Sequence, residues 1–226
     1  MKLKSDPLEK HIFGTYFTLR IGIAVIAILF PFILWIGGKL YLGLPLQDSM
    51  SAYYHANIGH QSMRDWFVGV LFAVGASLYL YKGYNGAENI GLNVAGVLAV
   101  GIAIFPMEWD CGAGCRKFSL HGFCAVSFFL CIACVCIRCA SDTLRSIKDE
   151  GRKRRFERAY KIIAAVMIAS PGIAFVLTAL LQQFRSLTFF VEVVGIFAFA
   201  TYWLTKTFEL SITETERLAL QEKLET

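Results

Sequence analysis

Long uncharged apolar runs alternate along the chain with short polar connections, a rhythm that predicts helices crossing a lipid bilayer. A transmembrane helix needs about 20 mostly apolar residues to span the ~30 Å hydrocarbon core. Six runs approach that length, at residues 19–38, 66–81, 90–105, 118–137, 162–181 and 187–204. The second and third are short, so their polar flanks are expected to complete the crossing. Pro31 falls inside the first run, where a kink is expected and a transmembrane helix tolerates one. That run starts late, has no small-residue cleavage site and is long enough to span, which argues against a cleavable signal peptide. The expectation is an all-α polytopic transmembrane bundle of about six helices. It forms one integral-membrane domain over residues 1–226, with residues 205–226 as a polar cytoplasmic tail.

Composition supports this reading. Hydrophobic residues make up 56% of the chain and charged residues 17%, with a mean hydropathy of +0.55. A soluble domain carries about 25% charged residues. The net charge of +5 argues for no nucleic-acid partner, because the basic residues cluster in one connection beside apolar spans. That connection, 138–158, holds Arg138, Arg145, Lys148, Arg152, Lys153, Arg154, Arg155 and Arg158. The positive-inside rule puts it in the cytoplasm. Six crossings then leave both termini cytoplasmic, in keeping with Lys2, Lys4, Lys10 and Arg20 ahead of or entering the first span. Connections 41–65, 106–117 and 182–186 face outward. The basic connection is also where a cytoplasmic protein partner or anionic lipid would bind.

Small residues spaced by four predict packing faces: Gly91, Ala95, Ala99 and Ala103 in the third span, Gly69, Ala73 and Ser77 in the second. The stretch Lys10 to Thr18 is expected in the membrane interface. Lys206 and Glu209 are expected to pair on one helix face, with the lysine snorkelling outward. Of the seven cysteines, Cys111 and Cys115 stand in an outward Cys-Gly-Ala-Gly-Cys run. A disulfide can close there if that side is oxidising. Zinc would need a second pair with metal spacing, and none accompanies them. Cys124, Cys131, Cys134, Cys136 and Cys139 spread around the fourth span and read as small buried hydrophobes.

Ionisable groups near a membrane span are candidates for function. Ser51, His55, His60, Asp65, Glu108, Asp110, His121, Gln182, Gln183 and Glu192 all fall at the outer third of the predicted bundle. Their shared depth predicts an outward-facing polar cavity. Three readings stand side by side: a hydrogen-bonded network tying the first outer loop to spans four and six, a head-group or substrate site, or a metal site. In the last, His55, Asp65, His121 and Glu192 would hold zinc through nitrogen and oxygen. If the protein is an enzyme, those four form its polar centre. Metal-bound water would then attack an ester or amide. Ser51 would serve as a hydrogen-bond donor rather than a nucleophile, because the sequence sets no base beside it.

Several segments resemble the DRAM/Frag/Sfk family of six-span membrane proteins and related bacterial proteins. They are the Ser-centred turn Asp48-Ser49-Met50-Ser51-Ala52, Asn89 to Gly96 opening the third span, Leu120-His121-Gly122-Phe123-Cys124-Ala125, and Glu192 followed by Phe197 to Leu204. The resemblance implies His121 and Glu192 as family-like polar residues and a role linked to membrane lipids. Ser51-Ala52-Tyr53-Tyr54-His55 with Asp65 is similar to the Ser-x-x-x-His and Asp elements of the CREST membrane hydrolases, which implies a zinc site. The His-x-x-x-His element of that superfamily is not matched in the last span, where Tyr202 and Lys206 hold the spacing near the opposite face. The expected function is a lipid-handling membrane protein whose outer cavity binds, and as an enzyme hydrolyses or remodels, a lipid. The alternative is a non-catalytic scaffold acting through the basic connection and the C-terminal tail.

Overall fold

Each apolar run forms a helix, and the polar flanks extend most of them. The computed structural model describes residues 7–58, 61–108, 119–138, 140–145, 147, 149–179 and 186–213. The first helix, α1 (Pro7–Leu42), has 36 residues and continues through Pro31. At 1.5 Å per residue it is ~54 Å long, so it absorbs the stretch expected to lie in the interface. Gly43 ends it at φ +60°, donating its N–H to the Lys39 carbonyl at 3.1 Å. This left-handed cap suits glycine, which has no Cβ to clash.

The remaining helices are α2 (Arg64–Leu80), α3 (Gly86–Ile104), α4 (Leu120–Arg138), the short α5 (Ala140–Leu144), α6 (Glu150–Ala179) and α7 (Ser186–Thr213). Among the described residues, five helices are long and apolar enough to cross a membrane. The sixth, α2, has 17 residues and spans ~25 Å. The chain is a multi-pass membrane protein with an all-α bundle fold. Two helix ends differ from expectation. Arg152 to Arg155 lie on the first turns of α6, not in a loop. The last helix runs on to Thr213, and Lys206, Thr207, Glu209 and Leu210 are buried in the bundle rather than leading a tail.

The six long helices form a ring in chain order, each packed on its neighbours, and α7 closes it against α1. The α1–α2 seam is the sparsest of the ring. The α2–α3 seam is tight because Gly75 and Gly96 face each other. A Cβ on Gly75 would stand 2.8 Å from the Gly96 carbonyl oxygen. Ala95, Ala99 and Ala103 are buried, as their stripe predicts. The α2 stripe is not: Gly69 and Ala73 face outward, and Phe67, Leu71, Val74 and Leu78 fill the interior. Small residues admit a neighbour or leave a notch, and bulkier partners here claimed the core face.

Candidate functional site

The connection from α1 to α2 folds over one end of the ring, here called the loop end. It carries a 3₁₀ turn at Ser51–His55 and a minimal antiparallel pairing of Asn57–Ile58 with Gln61–Ser62. Four contacts hold it. Tyr53 is fully buried, and Gly38 makes room for it, since a Cβ there would come within 2.7 Å of the Tyr53 ring. Burial pushes the Tyr53 phenol above its usual pKa, offset in part by the hydrogen bond it accepts from the Gln47 N–H at 3.4 Å. The first turn of α7 supplies the second anchor: the Phe189 N–H donates to the Asp48 carbonyl at 2.9 Å. One turn on, Glu192 Oε2 accepts the Met50 N–H at 2.6 Å. Finally, Ser49 Oγ accepts the Ala52 N–H at 3.1 Å and so caps the turn from within.

These contacts fix the backbone on both sides of Ser51, whose Oγ lies 2.7 Å from His121 Nε2. His121 sits in the first turn of α4 and is 7% exposed. Its Nδ1 is 2.9 Å from the Phe105 carbonyl oxygen and 3.2 Å from that of Ile102. A carbonyl oxygen only accepts, so Nδ1 carries the proton and Nε2 presents its lone pair to the Ser51 hydroxyl. Phe67 of α2 stacks beside the imidazole, with ring centroids 6.4 Å apart. The result is a hydroxyl bonded to a base whose tautomer and orientation are set by two carbonyls at the end of α3. Sequence reasoning set no base beside Ser51. The partner lies far along the chain, and only the fold unites them.

The other predicted residues divide. Glu192 serves the loop backbone through Met50, and His55 Nε2 donates to the Met107 carbonyl at 2.9 Å. Asp65 is exposed in the first turn of α2. It lies two residues, about 200° around the helix, from the Phe67 side chain that meets His121. Among the described residues no three His, Cys, Asp or Glu side chains come together to hold a metal. His55, Asp65, His121 and Glu192 therefore do not make one zinc ligand set. The lone pair of His121 is occupied by Ser51, and Asp65 faces away. Cys111, Cys115, His60, Asp110, Gln182 and Gln183 lie outside the described residues.

At the opposite, basic end a second polar cluster is buried. Lys206 Nζ is 3.8 Å from Glu88 Oε1, with both side chains 1% exposed, and donates to Thr143 Oγ1 at 3.3 Å. Lys206 thus pairs across helices and does not snorkel. Glu209, its expected partner, accepts from the Tyr160 hydroxyl at 2.5 Å. Arg20 donates to the Tyr81 hydroxyl at 3.2 Å, and the Tyr81 ring meets Trp203 edge-on at 5.0 Å. Glu88 also accepts the Tyr84 N–H, while its own N–H donates to Asn85 Oδ1. Asn85 thus caps α3 through its side chain while Glu88 reaches back one residue further, to Tyr84, and the spacing Asn85-x-x-Glu88 is the signal that would have started α3 at Gly86.

The chain matches no protein-family model, no curated protein and no solved structure.

Proposed function

We propose that this membrane protein handles a lipid and cleaves an acyl ester at Ser51, with His121 as the base. The supporting observation is the 2.7 Å Ser51 Oγ to His121 Nε2 contact together with the Nδ1–H held by the Phe105 and Ile102 carbonyls. A serine hydroxyl is a weak nucleophile until a positioned base takes its proton. In this reading Nε2 accepts that proton as Oγ bonds to the ester carbonyl carbon. The proton then passes to the departing alkoxide. Water releases the acyl group by the same route, and the serine is restored. Backbone carbonyls replace the carboxylate that commonly orients such a histidine. They fix the tautomer but bring no full negative charge to stabilise the imidazolium. The substrate class follows from location, because a site at the end of a membrane-spanning ring meets lipid esters first. The basic residues of 138–158 support a topology with both termini cytoplasmic and Ser51 on the opposite face.

Labelling of the detergent-purified protein with a fluorophosphonate, which traps activated serines, tests this. Wild type should label, Ser51→Ala should not, and His121→Gln should label much more slowly, with unchanged thermal stability confirming that both variants fold. A wild-type protein that never labels, or a Ser51→Ala variant that still does, overturns the reading. The alternative is a non-catalytic scaffold, favoured by the exposed Arg152, Arg154 and Arg155 on the first turns of α6. In that case neutralising those residues abolishes function while Ser51→Ala leaves it intact.

A further inference from the structure

The sparse α1–α2 seam opens outward as a groove of about 400 Å³. One wall is Ile33, Leu29 and Ile26 of α1, and the other is Asp65, Gly69 and Ala73 of α2. The α2 residues are spaced by four, so they lie on one face at intervals of ~6 Å. The α1 wall descends beside them in the reverse chain direction. Gly69 keeps the groove open, since a Cβ there would meet nothing within 4 Å. Trp66, 48% exposed beside Asp65, marks head-group depth, where tryptophan concentrates. Asp65 is exposed and makes no hydrogen bond or ion pair among the described residues. The helix dipole favours an acidic residue in a first turn, but it does not account for an apolar notch running inward from that residue. Arg64, the preceding residue, does not line the groove, since its guanidinium stands over the Tyr54 ring at 5.5 Å, which leaves Asp65 as the charged side chain at the groove.

From this arrangement we infer that the groove seats one acyl chain of a phospholipid whose head group carries a primary ammonium. Asp65 receives the ammonium, and the chain lies along Gly69 and Ala73. A primary ammonium donates N–H bonds to a carboxylate, which a quaternary ammonium cannot, and such charge-assisted bonds are the stronger kind. The inference rests on the lipid-handling part of the proposed function and not on its serine chemistry.

Purified full-length protein is equilibrated in nanodiscs of equal phosphatidylethanolamine, phosphatidylcholine and phosphatidylglycerol, and the lipid it retains is read by native mass spectrometry. Wild type should retain phosphatidylethanolamine about tenfold over the other two. Asp65→Asn should erase that preference, and Gly69→Leu, which fills the notch, should lose bound lipid whatever its head group. Ala73→Leu repeats the filling should Gly69→Leu fail to fold. Equal retention of all three lipids by wild type overturns the inference, as does an unchanged preference in Asp65→Asn. So does a Gly69→Leu variant that keeps its lipid but shifts from dimer to monomer, which would make a second copy the occupant. Fluorophosphonate labelling of the same samples separates the two readings. Labelling of Ser51 without lipid preference removes only the groove, and preference without labelling removes only the serine chemistry.

Discussion

Replacing Lys206 with methionine removes the cation from a pair that the bundle has shut off from water. Lys206 and Glu88 are each 1% exposed and stand 3.8 Å apart. At that separation and an effective dielectric of about 20, their attraction is about 4 kcal/mol. Removing one member of a buried pair typically costs about 3–5 kcal/mol, because the remaining charge is left uncompensated. Glu88 keeps the Tyr84 N–H, which offsets part of the loss. For a chain of this length, the lower figure lowers Tm by about 10 °C. Thermal unfolding in detergent, followed by tryptophan fluorescence, measures it, with Trp203 buried nearby on the same helix. The double variant Lys206→Met with Glu88→Gln should recover about 2 kcal/mol of the summed single losses, the signature of direct coupling. If Lys206→Met unfolds within a degree or two of wild type, the lysine reaches solvent and the buried pair is wrong.

Three other substitutions test separate parts of the fold. Glu192→Ala removes the acceptor of the Met50 N–H and should cost about 1.5–3 kcal/mol. Its effect should be local, seen as faster proteolysis within 43–63 while the helices stay protected. Gly75→Val drives a Cβ toward the Gly96 carbonyl and Val100 and should cost about 1–3 kcal/mol in a chemical-denaturation assay. Gly69→Ala, which meets open space, should be neutral or slightly stabilising and serves as the control. Asp149 accepts the Arg152 and Gly151 N–H groups, and these bonds hold its carboxyl below the ordinary 3.8. Its capping contribution is therefore complete above pH 3.8 and is lost as pH falls through the lower folded value. The Gly151 and Arg152 amide shifts should titrate with a midpoint below 3.8 and stop titrating in Asp149→Asn; a midpoint at or above 3.8 contradicts the cap.

The helical ring was legible because lipid solvation imposes one rule on spanning helices, and each of the six apolar runs marks a helix of the ring, five of them long and apolar enough to cross. The helix ends were less so. Hydropathy detects only the stretch facing lipid, whereas α1, α6 and α7 continue through polar residues that pack on one another. Lys206 illustrates the loss: three residues from Glu209, it invited a local pairing, but its nearest carboxylate belongs to α3. Asn85 and Glu88 carried a local signal of a helix start that an apolar window does not weigh. At the loop end, depth ordering grouped Ser51, His55, His121 and Glu192 in one layer. It gave no azimuth, so it could not pair Ser51 with His121, send Glu192 to the Met50 backbone or turn Asp65 to the far side of α2.

The order of helices around the ring bears on how the chain matures. Every seam but one joins segments that emerge in succession, so most packing becomes available as synthesis proceeds, with little loop-closure entropy to overcome. The exception is the contact of α7 with α1, and it is α7 that carries Phe189 and Glu192, the two residues pinning the turn around Ser51. A nascent chain stalled after α6 would already contain both the hydroxyl and the imidazole, yet lack the clasp that holds them in register. The turn that sets Ser51 against His121 is thereby clasped only once the ring is whole. Because the first and last helices are neighbours, a circular permutant joined across the native termini and opened at the turn between Tyr81 and Asn85 would keep every seam while changing which one closes last.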